Sequence, residues 1–350
     1  MHKVLVDLHR LGGNKFNGLY HFCYQLGTHL SLAQPADMDL HFYVPNGKKG
    51  IFGDKVSYSI QHSRDKFFRF GASRFAVWHV ATTLSWYRPF NSKTKKVFTI
   101  HDLNFLDQEE YNDRARKKYL QLIQRRVDRA DYLTFISHFS RKQALEHLKL
   151  EGKPYSIIYN GCNIPSSVNE ITPVYRPVRP YLFAIGQLHS RKNFHVLPAL
   201  LANNDYELVI AGMKNFDYVQ KIIEETKKHG VSDRVKLIGP ITDEEKSWYY
   251  QHCLAFVFPS MSEGFGMPVL EAMYFGKPVF LSKLTSLPEV GGQAAYYFDD
   301  FDPLAMRPVF EKGMNDFNNN NKASAIQQHA ASFNWNKTVQ QYIGVYRQLL

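Results

Sequence analysis

Short apolar runs recur along the whole chain, and each is followed by a longer amphipathic or polar stretch. In the first half they fall at 4–8, 40–44, 77–80, 97–100, 132–137 and 156–159. In the second they fall at 181–186, 207–212, 235–239, 255–260, 278–282 and 294–298. Their apolar residues follow one another instead of alternating with polar ones. Such a strand is covered on both faces, as in parallel sheets whose crossovers carry helices. Six such units in each half predict an α/β chain of two Rossmann-like, doubly wound domains. Ligands of open sheets bind beyond the carboxyl ends of the strands. The two domains are therefore expected to face a central cleft, and motifs that follow strands carry most weight.

The predicted first domain covers 1–165 and the second 181–335. Between them 166–180 reads as a linker, since the stretch 165–180 holds four prolines and no helical period. The segment 336–350 has a helical pattern in Val339, Tyr342, Ile343, Tyr346 and Leu349, and is expected to pack back on the first domain. A chain of 350 residues accommodates two cores. No apolar run approaches the roughly 18–20 residues of a membrane span, and the opening MHKVLVDLHR reads as a strand, not a secretion signal. Cys23, Cys162 and Cys253 lie far apart without metal-ligand spacing, which fits a reducing cytoplasm. The net charge of +11 admits nucleic acid, an anionic membrane surface or an anionic small molecule as partner.

The segment 258–280 reads FPSMSEGFGMPVLEAMYFGKPVF. A strand runs into the loop Glu263, Gly264, Phe265, Gly266, Met267, and Pro268 stands where a helix should begin. Gly276 and Pro278 stop that helix after little more than two turns. A helix start offers unpaired amides and partial positive charge, a natural seat for a diphosphate. Gly264 and Gly266 allow close backbone approach. Glu271, expected in the first turn, would turn its carboxylate to the same place and accept ribose hydroxyls. Glu263 would take hydroxyls of a sugar. Two acids beside a diphosphate demand cations, and the loop after the strand at 181–186 supplies them. It reads Gly186, Gln187, Leu188, His189, Ser190, Arg191, Lys192, Asn193. Arg191 is a planar fork and Lys192 a point charge for phosphate oxygens.

The run from Glu263 to Glu271 resembles the paired-glutamate motif of family 4 retaining glycosyltransferases (group 1, GT-B fold), and the loop from Gly186 to Asn193 resembles that family's phosphate-binding loop. Further elements occur in the same order. They are Val77–His79, Thr99-Ile100-His101-Asp102-Leu103, Ile136-Ser137-His138-Phe139-Ser140, Tyr159-Asn160-Gly161 and Ser286–Val290. The resemblance implies that Glu263 contacts the donor sugar and Glu271 the ribose. It implies that Arg191 and Lys192 bind the diphosphate, and that His101 lies near the transferred sugar. For the amino-terminal donor loop, Gly18 (GLYHF, with His21 in place of an arginine) and Gly12-Gly13 remain rival placements. The implied activity is transfer of a hexose-type sugar, with retention, from a nucleotide diphosphate donor to a saccharide or lipid-linked acceptor. The implied setting is bacterial surface polysaccharide or lipopolysaccharide assembly, in the cytoplasm or at the cytoplasmic face of the inner membrane. No cofactor beyond the donor substrate and no metal are expected.

Each feature has a plainer counterpart. Glu263 and Glu271 would otherwise be surface acids flanking a cap, Arg191 and Lys192 a solvated pair, and His101 a strand-end histidine bonded to its neighbour. No G-x-G-x-x-G follows the first strand, which disfavours a dehydrogenase. Asp300-Phe301-Asp302 spells D-x-D but reads as a turn and cap. The basic stretches 64–75 and 114–129 suit either an anionic membrane or plain solvation, and no nucleic-acid module is recognised. A silent sugar-nucleotide-binding subunit and a sugar-nucleotide epimerase are the alternatives.

Overall fold

The structure is a computed structural model, and it describes residues 1–15, 17–66, 74–85, 93–108, 110–163, 171–213 and 215–350. Its contacts divide the chain into two units, Met1–Gly161 with Asn334–Leu350, and Cys162–Phe333.

In the first unit the strands are β1 (His2–Asp7), β2 (Met38–Val44), β3 (Ser57–Ile60), β4 (Val77–Val80), β5 (Lys95–Ile100), β6 (Tyr132–Phe135) and β7 (Tyr155–Ile157). All pair in parallel, in the order β3-β2-β1-β4-β5-β6-β7. The crossovers include α1 (Gly18–Ala33), α2 (Asp113–Arg129) and α3 (His138–His147). Alternate residues of β1 enter opposite cores, which is why the run is apolar throughout. Val4 and Val6 meet Phe22, Leu26 and Leu30 of α1, whereas Leu5 lies with Trp78, Phe98, Ile123 and Val127. The edge strand β3 was absent from the predicted set.

The second unit holds β8 (Tyr181–Ile185), β9 (Glu207–Ala211), β10 (Val235–Gly239), β11 (Ala255–Phe258), β12 (Val279–Ser282) and β13 (Tyr296–Phe298). They pair in parallel in the order β10-β9-β8-β11-β12-β13. Its helices are α4 (Phe216–Lys228), α5 (Asp243–His252), α6 (Met267–Tyr274), α7 (Leu287–Gly291), α8 (Pro303–Asn319) and α9 (Ala323–Ala331). The strand order reverses between β8 and β11, so the carboxyl ends of those two strands flank the switch point.

The helix α10 (Trp335–Leu349) packs in the first unit. Trp335, Val339, Tyr342, Ile343 and Tyr346 share one core with α1 and β1. Gly161 accommodates it, since a Cβ there would come within 2.4 Å of Trp335. A buried polar ladder adds to the seat. The Tyr346 hydroxyl bonds His79 Nδ1 at 2.7 Å, His79 Nε2 meets Thr99 at 2.7 Å, and Thr99 meets Thr134 at 2.7 Å. The described part of the expected linker is tied to the second unit. The Tyr175 hydroxyl donates to Glu207 at 2.6 Å, the amide of Val178 to the same carboxylate at 3.1 Å, and the amide of Val174 to Glu245 at 2.8 Å. The portion 166–170 of that linker, and most of the basic stretch 64–75, lie outside the described residues.

Candidate active site

Two loops of the second unit meet at its switch point. The loop after β8 forms a short 3-10 turn at Ser190–Lys192, ended by Asn193 in the left-handed region at φ 57°. The loop after β11 runs through 262–266, every residue of it buried. They are stitched by the Met261 amide donating to the Arg191 carbonyl at 2.7 Å, with the Ser260 hydroxyl reaching the same oxygen at 3.3 Å.

Lys192 and Glu263 form a buried ion pair between those loops. Only 7% of Lys192 and 9% of Glu263 is exposed. The Ser260 hydroxyl donates to the same carboxylate oxygen at 2.7 Å, and the ammonium lies 4.8 Å from the Phe258 ring centre. Burial alone would raise the pKa of Glu263, but the charges of Lys192 and Arg191 and the hydrogen bonds from Lys192 and Ser260 outweigh it and hold the acid below its ordinary value. Gly186 has a steric role here, since a Cβ at its φ of +156° would lie 3.3 Å from Lys192 Cε. Gly212, which the sequence reasoning passed over, is tighter, because a Cβ there would sit 1.8 Å from the Gly186 carbonyl oxygen.

Arg191 donates to the Ser262 carbonyl at 3.3 Å. Among the described residues it has no carboxylate within ion-pair distance, although its charge acts on Glu263. Gly266 caps α6 at φ 102° and ψ 47° without a side-chain bond, a conformation that suits glycine. Phe265 is buried near Phe333, and the Ser286 hydroxyl donates to the carbonyls of Glu263 and Phe265, each at 3.0 Å. Gly264 lies inside the same buried loop, and Met267 opens the helix half-buried.

Glu271 departs from expectation in two respects. It is the fifth residue of α6, beyond the first turn, because Met267 and not Pro268 is the first. Among the described residues its carboxylate is also bonded by neither Arg191 nor Lys192. Glu271 Oε1 accepts from Asn163 Nδ2 at 3.0 Å and Lys246 Nζ at 3.3 Å, and Oε2 accepts from the Tyr250 hydroxyl at 3.2 Å. The expected balance of two acids against Arg191 and Lys192 is thus corrected. Each acid has its own lysine. Asn163, Lys246 and Tyr250 were missed. The signal for the last two was their i, i+4 spacing on one helix face.

His101 and Gly18 belong to the first unit, where Phe22 of α1 packs edge-on against the His101 ring at 4.4 Å. The ring Nε2 contacts the Ala81 carbonyl at 2.9 Å, so that nitrogen carries the proton. Burial pulls the His101 pKa down to about 4, against a smaller upward pull from that hydrogen bond, leaving a neutral imidazole at pH 7. Gly18 opens α1, where Asn17 accepts from the Leu19 amide at 2.9 Å. The rival Gly12-Gly13 lies at the end of the 3-10 turn His9–Gly12. Asp302 caps α8 by accepting from the Leu304 amide at 2.8 Å, and Asp300 accepts from the Asp302 amide at 3.0 Å. That D-x-D is occupied with turn and cap.

Two family descriptions match this chain. "Glycosyltransferase Family 4" covers residues 29–164 and "Glycosyl transferases group 1" covers 175–325. O-antigen chain mannosyltransferase B of Escherichia coli is 28% identical over 273 residues, 73% of this chain and 71% of that one. The serotype-specific mannosyltransferase WbdA of Escherichia coli is 30% identical over 282 residues, and the match spans about a third of that longer protein, 34%. Among solved structures, sucrose-phosphate synthase from Thermosynechococcus elongatus superposes with a TM-score of 0.72 at 16% identity, covering 100% of this chain and 99% of that one. Anabaena HepE, solved with UDP and glucose, gives 0.70 at 16% identity over 99% and 100%. Likeness at such identity speaks for the fold, two parallel doubly wound sheets of the GT-B type.

Proposed function

The chain belongs to the group 1, family 4 glycosyltransferases, and from that premise we propose that it moves a hexose-type sugar, with retention, from a nucleoside diphosphate donor to a saccharide or lipid-linked acceptor in bacterial surface polysaccharide assembly. The observation that carries this reading is the switch point of the second unit. There Lys192 is paired with Glu263, while Arg191, among the described residues, has no carboxylate within ion-pair distance. The relatives named as O-antigen chain mannosyltransferases support the polysaccharide setting, and neighbours solved with UDP support the nucleotide.

In this proposal the diphosphate settles on Arg191 and the amides opening α6, with Glu263 accepting from sugar hydroxyls and Glu271 from the ribose. The bond from the anomeric carbon to the diphosphate oxygen breaks. The acceptor oxygen then bonds to that carbon on the same face. Its proton passes to the departing diphosphate, since Lys192, Arg191 and Ser260 hold Glu263 below the ordinary carboxylate pKa and make it a weak base. Fixed cations and amides aimed at the leaving group supply electrostatic stabilisation, and the chemistry is proposed to need no metal. His101, which the family likeness would put near the sugar, is neutral at pH 7 and would add no charge there.

A peripheral contact with the cytoplasmic face of a membrane is the second element proposed. Arg114, Lys117, Lys118, Arg125 and Arg129 are exposed on α2, while Ile123 and Val127 point into the core. Attraction would therefore be electrostatic, about 1 kcal/mol per cation. Among the described residues no helix is long and apolar enough to cross a membrane.

The test is a thermal-shift panel of nucleotide sugars, followed by transfer assays with the purified chain. A donor at about 100 times its Kd should add about 2.7 kcal/mol, a rise of several degrees. Glu271→Ala should raise the donor KM about tenfold or more, and Lys192→Ala should chiefly lower kcat. Unchanged kinetics in both would refute the site, binding without transfer would leave a silent subunit, and turnover without acceptor would indicate an epimerase.

A further inference from the structure

Lys246 lies on α5, separated in sequence from Glu271 by 25 residues. The donor reading does not call for it. Its side chain is only 15% exposed, and its ammonium bonds Asp243 at 3.1 Å as well as Glu271 Oε1 at 3.3 Å. Burial pulls the amine toward neutrality, yet the two carboxylates outweigh that pull and raise its pKa above the ordinary value. An ionised carboxylate has about four acceptor positions. Asn163 and Lys246 fill both on Oε1, while among the described residues Oε2 takes only the Tyr250 hydroxyl. The two oxygens are thus unequal.

We infer that Lys246 is a positioning residue for the nucleotide, anchoring Glu271 through Oε1 so that Oε2 remains to accept a ribose hydroxyl. This rests on the reading of Glu271 as the ribose-binding acid. Tyr250 sets the same geometry from the other oxygen. A lysine that merely fastens α5 to α6 would be indifferent to the sugar of the nucleotide, whereas one acting through Glu271 determines how strongly ribose is preferred over a sugar lacking hydroxyls.

The experiment titrates uridine and guanosine diphosphates, and their 2′,3′-dideoxy counterparts, into the full chain. Wild type should prefer the ribose form by about 10- to 100-fold, as charge-assisted hydrogen bonds require. Lys246→Met should weaken the ribonucleotide about tenfold. The dideoxy form should move less than about twofold, and kcat at saturating donor less than about threefold, because the lost bonds are to ribose alone. Lys246→Arg should keep most of the preference. Lys246→Gln stays polar but lacks the charge and the reach of the ammonium, so it should show the same selective loss, which keeps the measurement available if the methionine variant is insoluble. Equal weakening of ribose and dideoxy forms, or no change in either, overturns the inference. If Glu271→Ala abolishes the ribose preference while Lys246→Met keeps it, the inference fails and the donor site stands. If wild type binds neither diphosphate, or Glu271→Ala keeps the preference, the reading of the donor site falls as well.

Discussion

Removing Lys192 should destabilise the second unit more than removing the pair. In Lys192→Met the Glu263 carboxylate stays 9% exposed without its cation. Breaking one side of a buried pair costs about 3–5 kcal/mol. The Ser260 hydroxyl still donates at 2.7 Å and Arg191 adds its field, so the lower figure applies, about 3 kcal/mol. At about 2–4 °C per kcal/mol for a unit of this size, the transition should drop by about 6–12 °C. In Lys192→Met/Glu263→Gln neither charge of the pair remains, and the amide can accept from Ser260. Stability should return to within about 1 kcal/mol of wild type. Calorimetry of the four proteins closes the double-mutant cycle, with an expected coupling of at least about 2 kcal/mol, since Glu263→Gln in turn leaves Lys192 buried without its acid. Transfer should be lost in all three variants, since the recovered fold still lacks the charges. Additive effects, with coupling below about 0.5 kcal/mol, would refute a desolvated pair. Activity in the double variant would refute its part in the chemistry.

Two more predictions concern the first unit. His79 and His101 are pulled down by burial to about 3 and about 4, from 6.5. The unfolded chain therefore binds protons that the native one refuses below 6.5, and stability should fall with pH, by about 1.4 kcal/mol per unit for each histidine. Melts between pH 7.5 and 5 should show the decline, and a flat profile would refute the buried neutral pair. For α2, the chain should sediment with anionic vesicles at low salt and be released by about 0.3 M salt, where the screening length is well under 10 Å. Failure to sediment refutes the contact, and retention at high salt refutes its electrostatic character.

The fold was legible because strands covered on both faces leave unbroken apolar runs. The stretches predicted past the strand ends, such as 186 and 259–260, are loop, and these are the loops that carry the site. β3 was not legible. It is an edge strand of four residues, and Ser57 and Ser59 break its apolar pattern. The glutamates, glycines and cations of the two loops could be named from order and type, since local geometry ties them to strand ends. Their pairing could not. Lys192 meets Glu263 across 71 residues and Lys246 meets Glu271 across 25, and such meetings depend on how strands and helices are ordered in space. His79 likewise read as one more strand residue, although its ring bonds the helix nearest the carboxyl end of the chain.

Because α10 supplies Trp335, Tyr342 and Tyr346 to the core built on β1 and α1, the unit that starts first on the ribosome is finished last. Until residues 335–349 emerge, the apolar flank of β1 and α1 has no cover and His79 has lost the hydroxyl partner that accounts for its burial. The second unit, continuous from Cys162 to Phe333, has no such wait. Nascent chains should therefore acquire protease resistance in the order opposite to their synthesis.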